Sequence, residues 1–312
     1  MRVGPSPVAL AIFLALTSCS GQPVGPTPPA QPSGTILALH PVGRLFVVDA
    51  ASASAQQITE FGEPLTWVNA ALGTGASTIS GSNSGARPTG PRGPRSIRTL
   101  DLPGLIPRDV LPYQQQTLVG STRISPDGRT LAASGSSIVM EGRHELVTID
   151  LTTLAATVRW SRGASEPYLD LAELRWLPDQ SGFITLATGV STTRVAHLDL
   201  ATGILRYLTD PIGFAILPSI DLSPDGRTIA YSREDGLTRF ITMDGAPAPG
   251  YPETIGGILP AFSPDGKLLA YSRRGTLHPG GLDGIWIHRF SDSQEWRLLP
   301  EESPVTWVLD WE

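Results

Sequence analysis

One ten-residue phrase occurs three times in this chain and constrains its fold more than any other feature. The phrase reads SPDGRTLAAS at residues 125–134, SPDGRTIAYS at 223–232 and SPDGKLLAYS at 263–272, and a degenerate copy, LPDQSGFITLA, begins at Leu177. The turn aspartates follow one another at intervals of 52, 46 and 40 residues: Asp127, Asp179, Asp225 and Asp265. Repeats of this length are typical of the four-stranded blades of β-propellers.

The phrase has the composition of a β-hairpin. Proline fixes φ at the second position of the turn and glycine accepts a positive φ, while apolar segments lead in and out. We predict that each turn aspartate accepts hydrogen bonds from neighbouring backbone amides. Because these aspartates lie on separate turns, they do not indicate a calcium site, which needs several oxygen ligands at one point. Two further apolar runs follow each hairpin and predict the third and fourth strands of a blade.

The two ends of the repeat region complement each other. Residues 35–59 resemble strands two, three and four of a blade, whereas PVTWVLDWE (304–312) resembles a first strand without its hairpin. Pairing the two would close a ring and remove the exposed sheet edges. One more blade is predicted from EPLTWVNA (63–70), STISGS (77–82), SIRTLDL (96–102) and QQTLVG (115–120). The prediction is an all-β, six-bladed β-propeller of four-stranded antiparallel blades, with seven blades as the alternative count.

The phrase and the strands around it resemble a known family. An apolar strand, SPDG, a basic residue and Ala-Tyr-Ser, followed by a strand that ends in Asp-Leu, are similar to the WD40-like (PD40) repeats of the TolB propeller. The similarity covers most of Thr35–Glu312 and is clearest from Ser121 to Leu299. It implies a protein partner that docks near the central channel on one face. TolB carries an α/β domain ahead of its propeller, and here a proline-rich segment stands in that place.

The N-terminal segment predicts export. Arg2 precedes an apolar run from Val8 to Leu16, which is too short to span a bilayer and fits a signal peptide. The sequence Leu16–Cys19 resembles the bacterial lipobox, which implies cleavage before Cys19 and lipidation of its thiol. The alternative is an incidental cysteine removed with a conventional signal peptide. The predicted organisation is a lipoprotein signal peptide at 1–18, a lipidated cysteine and Pro/Gly-rich tether at 19–34, and the propeller at 35–312.

Few residues indicate catalysis. The chain has no G-x-S-x-G, P-loop, H-E-x-x-H or C-x-x-C motif, and its histidines lack close ligand spacing: His40, His144, His197, His278 and His288. Asp170 and Glu173 are the nearest carboxylate pair, and we interpret both as structural. We expect no catalytic residue, no cofactor, no metal and a monomer. The net charge of −6 argues against nucleic-acid binding.

The loops that join strands two and three are rich in basic residues. In a propeller these loops lie on the face opposite the SPDG turns. A rim of arginines there could bind carboxylates, phosphates or an acidic partner bidentately. The alternative is a set of solvated loop charges. The candidate rim consists of Arg87, Arg92, Arg95, Arg143, His144, Arg233, Arg273, Arg274 and His278.

Two functions of different classes remain open, beside a third reading in which the propeller is a purely structural part of a larger assembly and exposes an apolar patch. The first is a protein-binding or scaffolding module, secreted across the inner membrane and lipid-anchored through Cys19 in the cell envelope, on its periplasmic or outer-membrane face. The second is an envelope enzyme or sensor that binds a carbohydrate or small anionic ligand in the central channel. An enzyme should gather buried, converging carboxylates or histidines at the channel mouth, whereas a binding module should show few perturbed ionisable groups there.

Overall fold

The computed structural model describes residues 32–39, 45–58, 65–72, 78–85, 95–101, 106–111, 121–137, 143–163, 168–213, 219–273, 284–300, 303, 305 and 307–312. The predicted signal peptide and most of the predicted tether, Cys19 included, lie outside these residues. In the described residues, all the regular secondary structure consists of β-strands. In that part no helix is long and apolar enough to cross a membrane.

The strands pair into four-stranded antiparallel sheets, each built from strands that are consecutive around the ring. The first sheet consists of β24 (Trp307–Trp311), β1 (Thr35–Leu39), β2 (Leu45–Asp49) and β3 (Ser54–Gln57). The second consists of β4 (Leu65–Leu72), β5 (Thr78–Gly85), β6 (Arg95–Asp101) and β7 (Ile106–Leu111). The third consists of β8 (Thr122–Ile124), β9 (Thr130–Ser137), β10 (Arg143–Asp150) and β11 (Ala156–Arg162).

The remaining strands repeat this plan. The fourth sheet consists of β12 (Leu169–Trp176), β13 (Gly182–Gly189), β14 (Thr193–Asp199) and β15 (Leu205–Tyr207). The fifth consists of β16 (Ile220–Leu222), β17 (Thr228–Ser232), β18 (Leu237–Thr242) and β19 (Ile255–Gly256). The sixth consists of β20 (Ile258–Phe262), β21 (Leu268–Arg273), β22 (Gly284–Arg289) and β23 (Gln294–Arg297).

Within the described residues, strand pairing therefore gives six four-stranded sheets. Their innermost strands contact one another in sequence: β4 with β8, β8 with β12, β12 with β16, and β16 with β20. Strand β24 contacts both β20 and β4, so the sheets form a closed ring. A ring of five or of seven blades would need one sheet fewer or one sheet more than this pairing contains.

The ring closes where the last strand joins the first. Strand β24 pairs antiparallel with β1, with Ile36 opposite Trp311 and a bulge between Leu37 and Ala38. At the start of β1, the Thr35 amide donates to the Glu312 carbonyl at 2.6 Å, and the Glu312 amide donates to the Thr35 carbonyl at 2.9 Å. Trp311 is buried among side chains from the first and sixth sheets. Closure therefore combines backbone pairing with core packing.

The second sheet corrects one part of the fold prediction. Its fourth strand is β7 at Ile106–Leu111, not the predicted QQTLVG segment at 115–120, which lies outside the described residues. Strand β7 contains a proline and two charged residues, IPRDVL, and so lacks an apolar run. An outermost strand tolerates such a sequence because one of its edges needs no ladder partner. Its Val110 is nevertheless buried.

The SPDG turns have the predicted geometry. In the fifth sheet, Asp225 Oδ1 accepts hydrogen bonds from Ser223 Oγ at 2.6 Å and from the Arg227 amide at 3.0 Å. The Thr228 amide in turn donates to Ser223 Oγ at 2.9 Å. Gly226 adopts φ +71°, a conformation that favours glycine. The turns at Asp127 and Asp265 repeat these bonds, which confirms that the aspartates bind neighbouring amides.

The serine that ends the repeated phrase joins neighbouring sheets. Ser134 Oγ donates to the Leu171 carbonyl in the inner strand of the next sheet. Ser272 Oγ accepts a hydrogen bond from the Val308 amide in β24 at 2.9 Å. Both serines are fully buried. In these two copies the phrase supplies both a tight turn and a hydrogen bond between sheets, whereas Ser232 bonds to Ser219 beside its own sheet.

Replacing Asp225 by alanine should lower the free energy of unfolding at pH 7 by about 1–2 kcal/mol, because the turn loses two hydrogen bonds. The pKa of Asp225 lies below its ordinary value, chiefly because Ser223 donates a hydrogen bond to the carboxylate. This stability is present above the unfolded pKa and is lost as the pH falls. Urea unfolding at pH 7 and pH 3 should therefore show a smaller difference at pH 3. Asp210→Ala, at an exposed aspartate, is the control, and an equal loss there would contradict the account.

Candidate functional site

The innermost strands carry charged residues at one equivalent position. Arg123, Arg175 and Asp221 each stand four residues before the turn aspartate of their sheet. Asp310 occupies the corresponding place in β24, one residue before a tryptophan, as Arg175 does in β12. All four are buried, and all line a cavity of about 240 Å³ at the centre of the ring. Residues from the first, third, fourth and fifth sheets thus meet at the central channel.

Asp310 joins three sheets. Its carboxylate receives a bidentate pair of bonds from the Arg123 guanidinium, with Nη2 at 2.8 Å from Oδ1 and Nη1 bound to Oδ2. Oδ2 also accepts the amide of Leu72 in the second sheet at 2.8 Å. Asp310 is 1% exposed and Arg123 is 8% exposed. A bidentate, desolvated pair of this kind fixes orientation as well as charge.

A second pair lies on the other side of the channel. Arg175 Nε donates to Asp221 Oδ1 at 2.7 Å, and Asp221 Oδ2 accepts the Phe262 amide of the sixth sheet at 2.7 Å. Arg175 Nη1 also lies 3.4 Å from Glu173 Oε2. Glu173 occupies a bulge in β12, with φ +51°, and lines a smaller cavity of about 30 Å³ next to Arg175. The bulge brings an additional carboxylate beside the guanidinium.

Carboxylates outnumber guanidinium groups in this network. Glu312 approaches Arg123 to 4.0 Å, so two arginines face four acidic side chains: Asp221, Asp310, Glu173 and Glu312. Burial is the main cause that raises the pKa of Asp221 and of Glu173. Burial, and then repulsion by Asp310, raises the pKa of Glu312 to about 7. Glu312 therefore lies close to its titration midpoint at neutral pH, and the network favours an additional positive charge.

The open end of the channel lies on the SPDG face. Its rim is formed by the prolines of the four repeated turns, and Glu312 and Trp311 stand beside them in the same cavity. Proline restricts the backbone of each turn, so the rim is conformationally restricted. The rim prolines are Pro126, Pro178, Pro224 and Pro264. The arrangement is a small, rigid mouth with an excess of carboxylate.

Replacing Glu312 by glutamine should stabilise the protein at pH 8. The folded pKa of about 7 exceeds the ordinary value of 4.5, so the folded protein holds a proton that the unfolded chain loses between those values. Stability therefore falls as the pH rises from about 4.5 to 7. Because the side chain is 31% exposed, solvent screening limits the expected gain at pH 8 to the order of 1 kcal/mol. Urea unfolding at pH 8 and pH 4 measures it, and the gain should vanish at pH 4.

The control is Glu253→Gln, at an exposed carboxylate in the segment between β18 and β19, which should change nothing at either pH. A Glu312→Gln protein that is less stable than wild type at pH 8 would contradict this, because it would show that the folded protein stabilises the charged carboxylate.

Arg273 of the predicted rim is held in place by neighbouring groups. Its guanidinium binds Glu295 Oε2 at 2.8 Å, the Tyr271 hydroxyl at 2.9 Å and the Gly256 carbonyl at 3.1 Å. It also lies 4.3 Å from the ring centroid of Trp286. The pKa of Glu295 falls to about 2, chiefly because His288 hydrogen-bonds its carboxylate. These contacts tie β21 to β22 and β23 of the sixth sheet and to β19 of the fifth sheet.

The other rim residues are not brought to one point by the described structure. His144 is buried, with its ring edge-on to Tyr168 and Nδ1 3.7 Å from Asp170. Arg233 is half-buried at the end of β17. Arg95 and Arg143 begin β6 and β10, and their side chains lie outside the described ones. Arg87, Arg92, Arg274 and His278 lie outside the described residues altogether. The arginine rim stays a prediction.

The carboxylates interpreted as structural have different roles. Asp170 contacts His144, and burial raises its pKa. Glu173 belongs to the charged network of the channel through its contact with Arg175. That role was not predicted from the sequence. Among the described residues, no group of three or more His, Cys, Asp or Glu side chains is arranged to hold a metal ion.

Comparisons with known proteins bear on the fold. No protein-family model matches the chain, and no curated protein sequence matches it. TolB from Acinetobacter baumannii is similar in structure with a TM-score of 0.65 at 20% identity, over 91% of this chain and 67% of that chain. A chain of a nidogen/laminin complex reaches 0.62 at 14% identity, over 89% of this chain and 97% of that one. Oligogalacturonate lyase from Vibrio parahaemolyticus reaches 0.52 at 10% identity, over 86% and 80%. The chain therefore has the fold of a TolB-like β-propeller.

Proposed function

We propose that this protein is a protein-binding module of the cell envelope, and that it receives a positively charged group of its partner at the channel mouth on the SPDG face. The observation that carries the proposal is the excess of carboxylate over guanidinium around Arg123 and Arg175. A lysine or arginine side chain, or an amino terminus, would neutralise that excess. Electrostatic complementarity of this kind sets specificity and association rate.

The form of the mouth supports a protein partner. A cavity of about 240 Å³ is below the size of most small-molecule sites and fits a single side chain. The surrounding SPDG turns offer a ring of restricted backbone on which a larger surface can rest. Two structural neighbours are consistent with this class: TolB, and a chain from a nidogen/laminin complex.

The N-terminal segment supports the proposed location in the cell envelope. The lipobox-like sequence before Cys19 supports export and lipid anchoring, and the proline-rich tether supports display of the propeller away from the membrane. Metabolic labelling of cells with an alkyne fatty acid tests the anchor. The full chain should incorporate the label, and Cys19→Ser should abolish it.

The charge proposal is tested by reversal at the mouth. Full-length protein is crosslinked in intact cells, purified and analysed by quantitative mass spectrometry. Glu312→Lys should lower the recovery of the partner at least tenfold, and Glu312→Gln should lower it less. Glu253→Lys is the matched control, since it makes the same change at an exposed site outside the mouth. Equal recovery with all variants would contradict the proposal, provided that melting temperatures show that each variant is folded.

The second candidate function is an enzyme or sensor that acts on a small ligand in the channel. Converging carboxylates with raised pKa values, Asp221, Glu173 and Glu312, are the pattern expected of such a protein. However, the two channel aspartates, Asp221 and Asp310, are each already bound by an arginine and a backbone amide. Recovery of the crosslinked protein alone, together with a thermal shift on addition of an acidic oligosaccharide, would favour this candidate.

A further inference from the structure

A second concave surface lies between the fourth and fifth sheets. It is a groove of about 850 Å³, lined by Arg194 of β14 and by Arg233, which follows β17 directly. Strand β17 ends, and β14 begins, on the side where strands two and three of a sheet are joined. Both arginines therefore belong to the face opposite the SPDG turns. The groove is separate from the channel mouth, so its role is independent of the proposed function.

Arg233 brings an unsatisfied donor to this groove. Its Nε is buried and has no hydrogen-bond partner in the described structure. The nearby carboxylate of Asp235 is committed elsewhere, to Arg239 Nη2 at 2.9 Å and to the Leu237 amide at 3.0 Å. The backbone of Arg233 is fixed by a bond from its amide to the Leu237 carbonyl at 3.0 Å. A buried, unpaired guanidinium N–H is costly, and a bound acceptor would remove that cost.

Arg194 provides a second guanidinium. It lies 4.9 Å from the ring centroid of Tyr207, and no described carboxylate is within ion-pair distance of it. A guanidinium held over a ring face still has N–H groups that can donate to a planar acceptor. Tyr231 also lines the groove and is 7% exposed. Burial raises the pKa of Tyr231, so its hydroxyl remains a hydrogen-bond donor at neutral pH.

We propose that this groove is a binding site for the carboxylate group of a ligand. Two guanidinium groups and a phenol line it, and these donors suit a carboxylate. Asp210 also lines the groove, so its formal charge is +1 rather than +2. That balance favours a singly charged carboxylate over a doubly charged phosphate. The volume leaves room for the larger body that bears the carboxylate, either an acidic amino-acid residue or a sugar acid.

The test is a titration of the full chain labelled with ¹⁵N-arginine, followed through the Nε–H resonances in proton–nitrogen spectra. The probes are N-acetylglutamate α-amide, galacturonate and methyl phosphate. One of the two carboxylates should shift the Arg194 and Arg233 resonances saturably, and whichever binds identifies an amino-acid or a sugar source. Arg233→Gln and Arg194→Gln should each weaken that binding about tenfold. Both resonances are assigned by their loss in these variants.

The matched control is Arg227→Gln, which removes an exposed arginine from an SPDG turn on the other face and should leave the affinity unchanged. Thermal melting checks that every variant is folded, and the second arginine variant serves if the first is not. The proposal fails if neither carboxylate gives a saturable shift. It also fails if methyl phosphate binds more tightly than both, or if Arg227→Gln weakens binding as much as Arg233→Gln.

Discussion

Replacing Asp310 by asparagine should lower the free energy of unfolding by about 3–5 kcal/mol, one of the largest effects expected of a single substitution in this chain. The substitution leaves Arg123 charged and buried without its counter-ion, and that uncompensated charge dominates the cost. The Leu72 amide keeps an oxygen acceptor, so the loss reports mainly on charge. Urea unfolding of the full chain at pH 7 measures it.

A double-mutant comparison separates the ion pair from general damage. Arg123→Met together with Asp310→Leu removes both charges and should be less destabilised than Asp310→Asn alone, although the Leu72 amide then lacks its acceptor. Arg289→Gln breaks an ion pair with the exposed Asp292 and should be far less destabilising than Asp310→Asn, because solvent screens the exposed pair. A cost below 1 kcal/mol for Asp310→Asn, or a double mutant as unstable as the sum of its parts, would contradict the account of the channel.

Removing residues 303–312 should abolish cooperative unfolding altogether. The deletion takes away β24, with buried Val308 and Trp311, and leaves the edge of β1 unpaired. Each large apolar side chain contributes about 1.5–3 kcal/mol, and the Arg123–Asp310 pair is lost as well. The total approaches the whole stability of a typical domain, about 5–15 kcal/mol. Differential scanning calorimetry should show no transition.

A peptide of residues 303–312, added in trans, should restore the transition. A peptide of the same composition in scrambled order is the control and should not, because the alternation of buried and exposed residues sets the register with β1. A truncated protein that melts cooperatively at the wild-type temperature would show that the ring does not depend on this strand.

The all-β fold was predictable because each repeat contains local sequence signals for its turn and strands. The SPDG turn, its flanking apolar strands and its terminal serine are local signals, and they recur at blade length. The second sheet lacks an SPDG turn, so its strands could be predicted only from the alternation of apolar and polar residues. Strand β7 was not predicted because Pro107, Arg108 and Asp109 interrupt its apolar pattern. Local signals thus predict strands well only where turn chemistry fixes their ends.

The channel site was harder to predict, although one signal was present. Arg123 and Asp221 stand in three-residue strands and Arg175 lies near the end of β12, each on an innermost strand and four residues before a turn aspartate. Which arginine meets which carboxylate depends on closure of the ring, since Arg123 and Asp310 are 187 residues apart. The bulge that admits Glu173 has no sequence signature. Arg273 belonged to a basic loop in the sequence, but its partner Glu295 lies 22 residues away.

We propose the channel mouth on the SPDG face as the recognition surface of this protein. Site-specific photo-crosslinking in living cells tests it most directly, with p-benzoylphenylalanine placed either at position 224 or at position 190. Pro224 lines the mouth, whereas Val190 is 79% exposed in the turn between β13 and β14 on the opposite face. We expect a discrete protein adduct from position 224 and none from position 190. An adduct from position 190 alone, or none from either position, would contradict it.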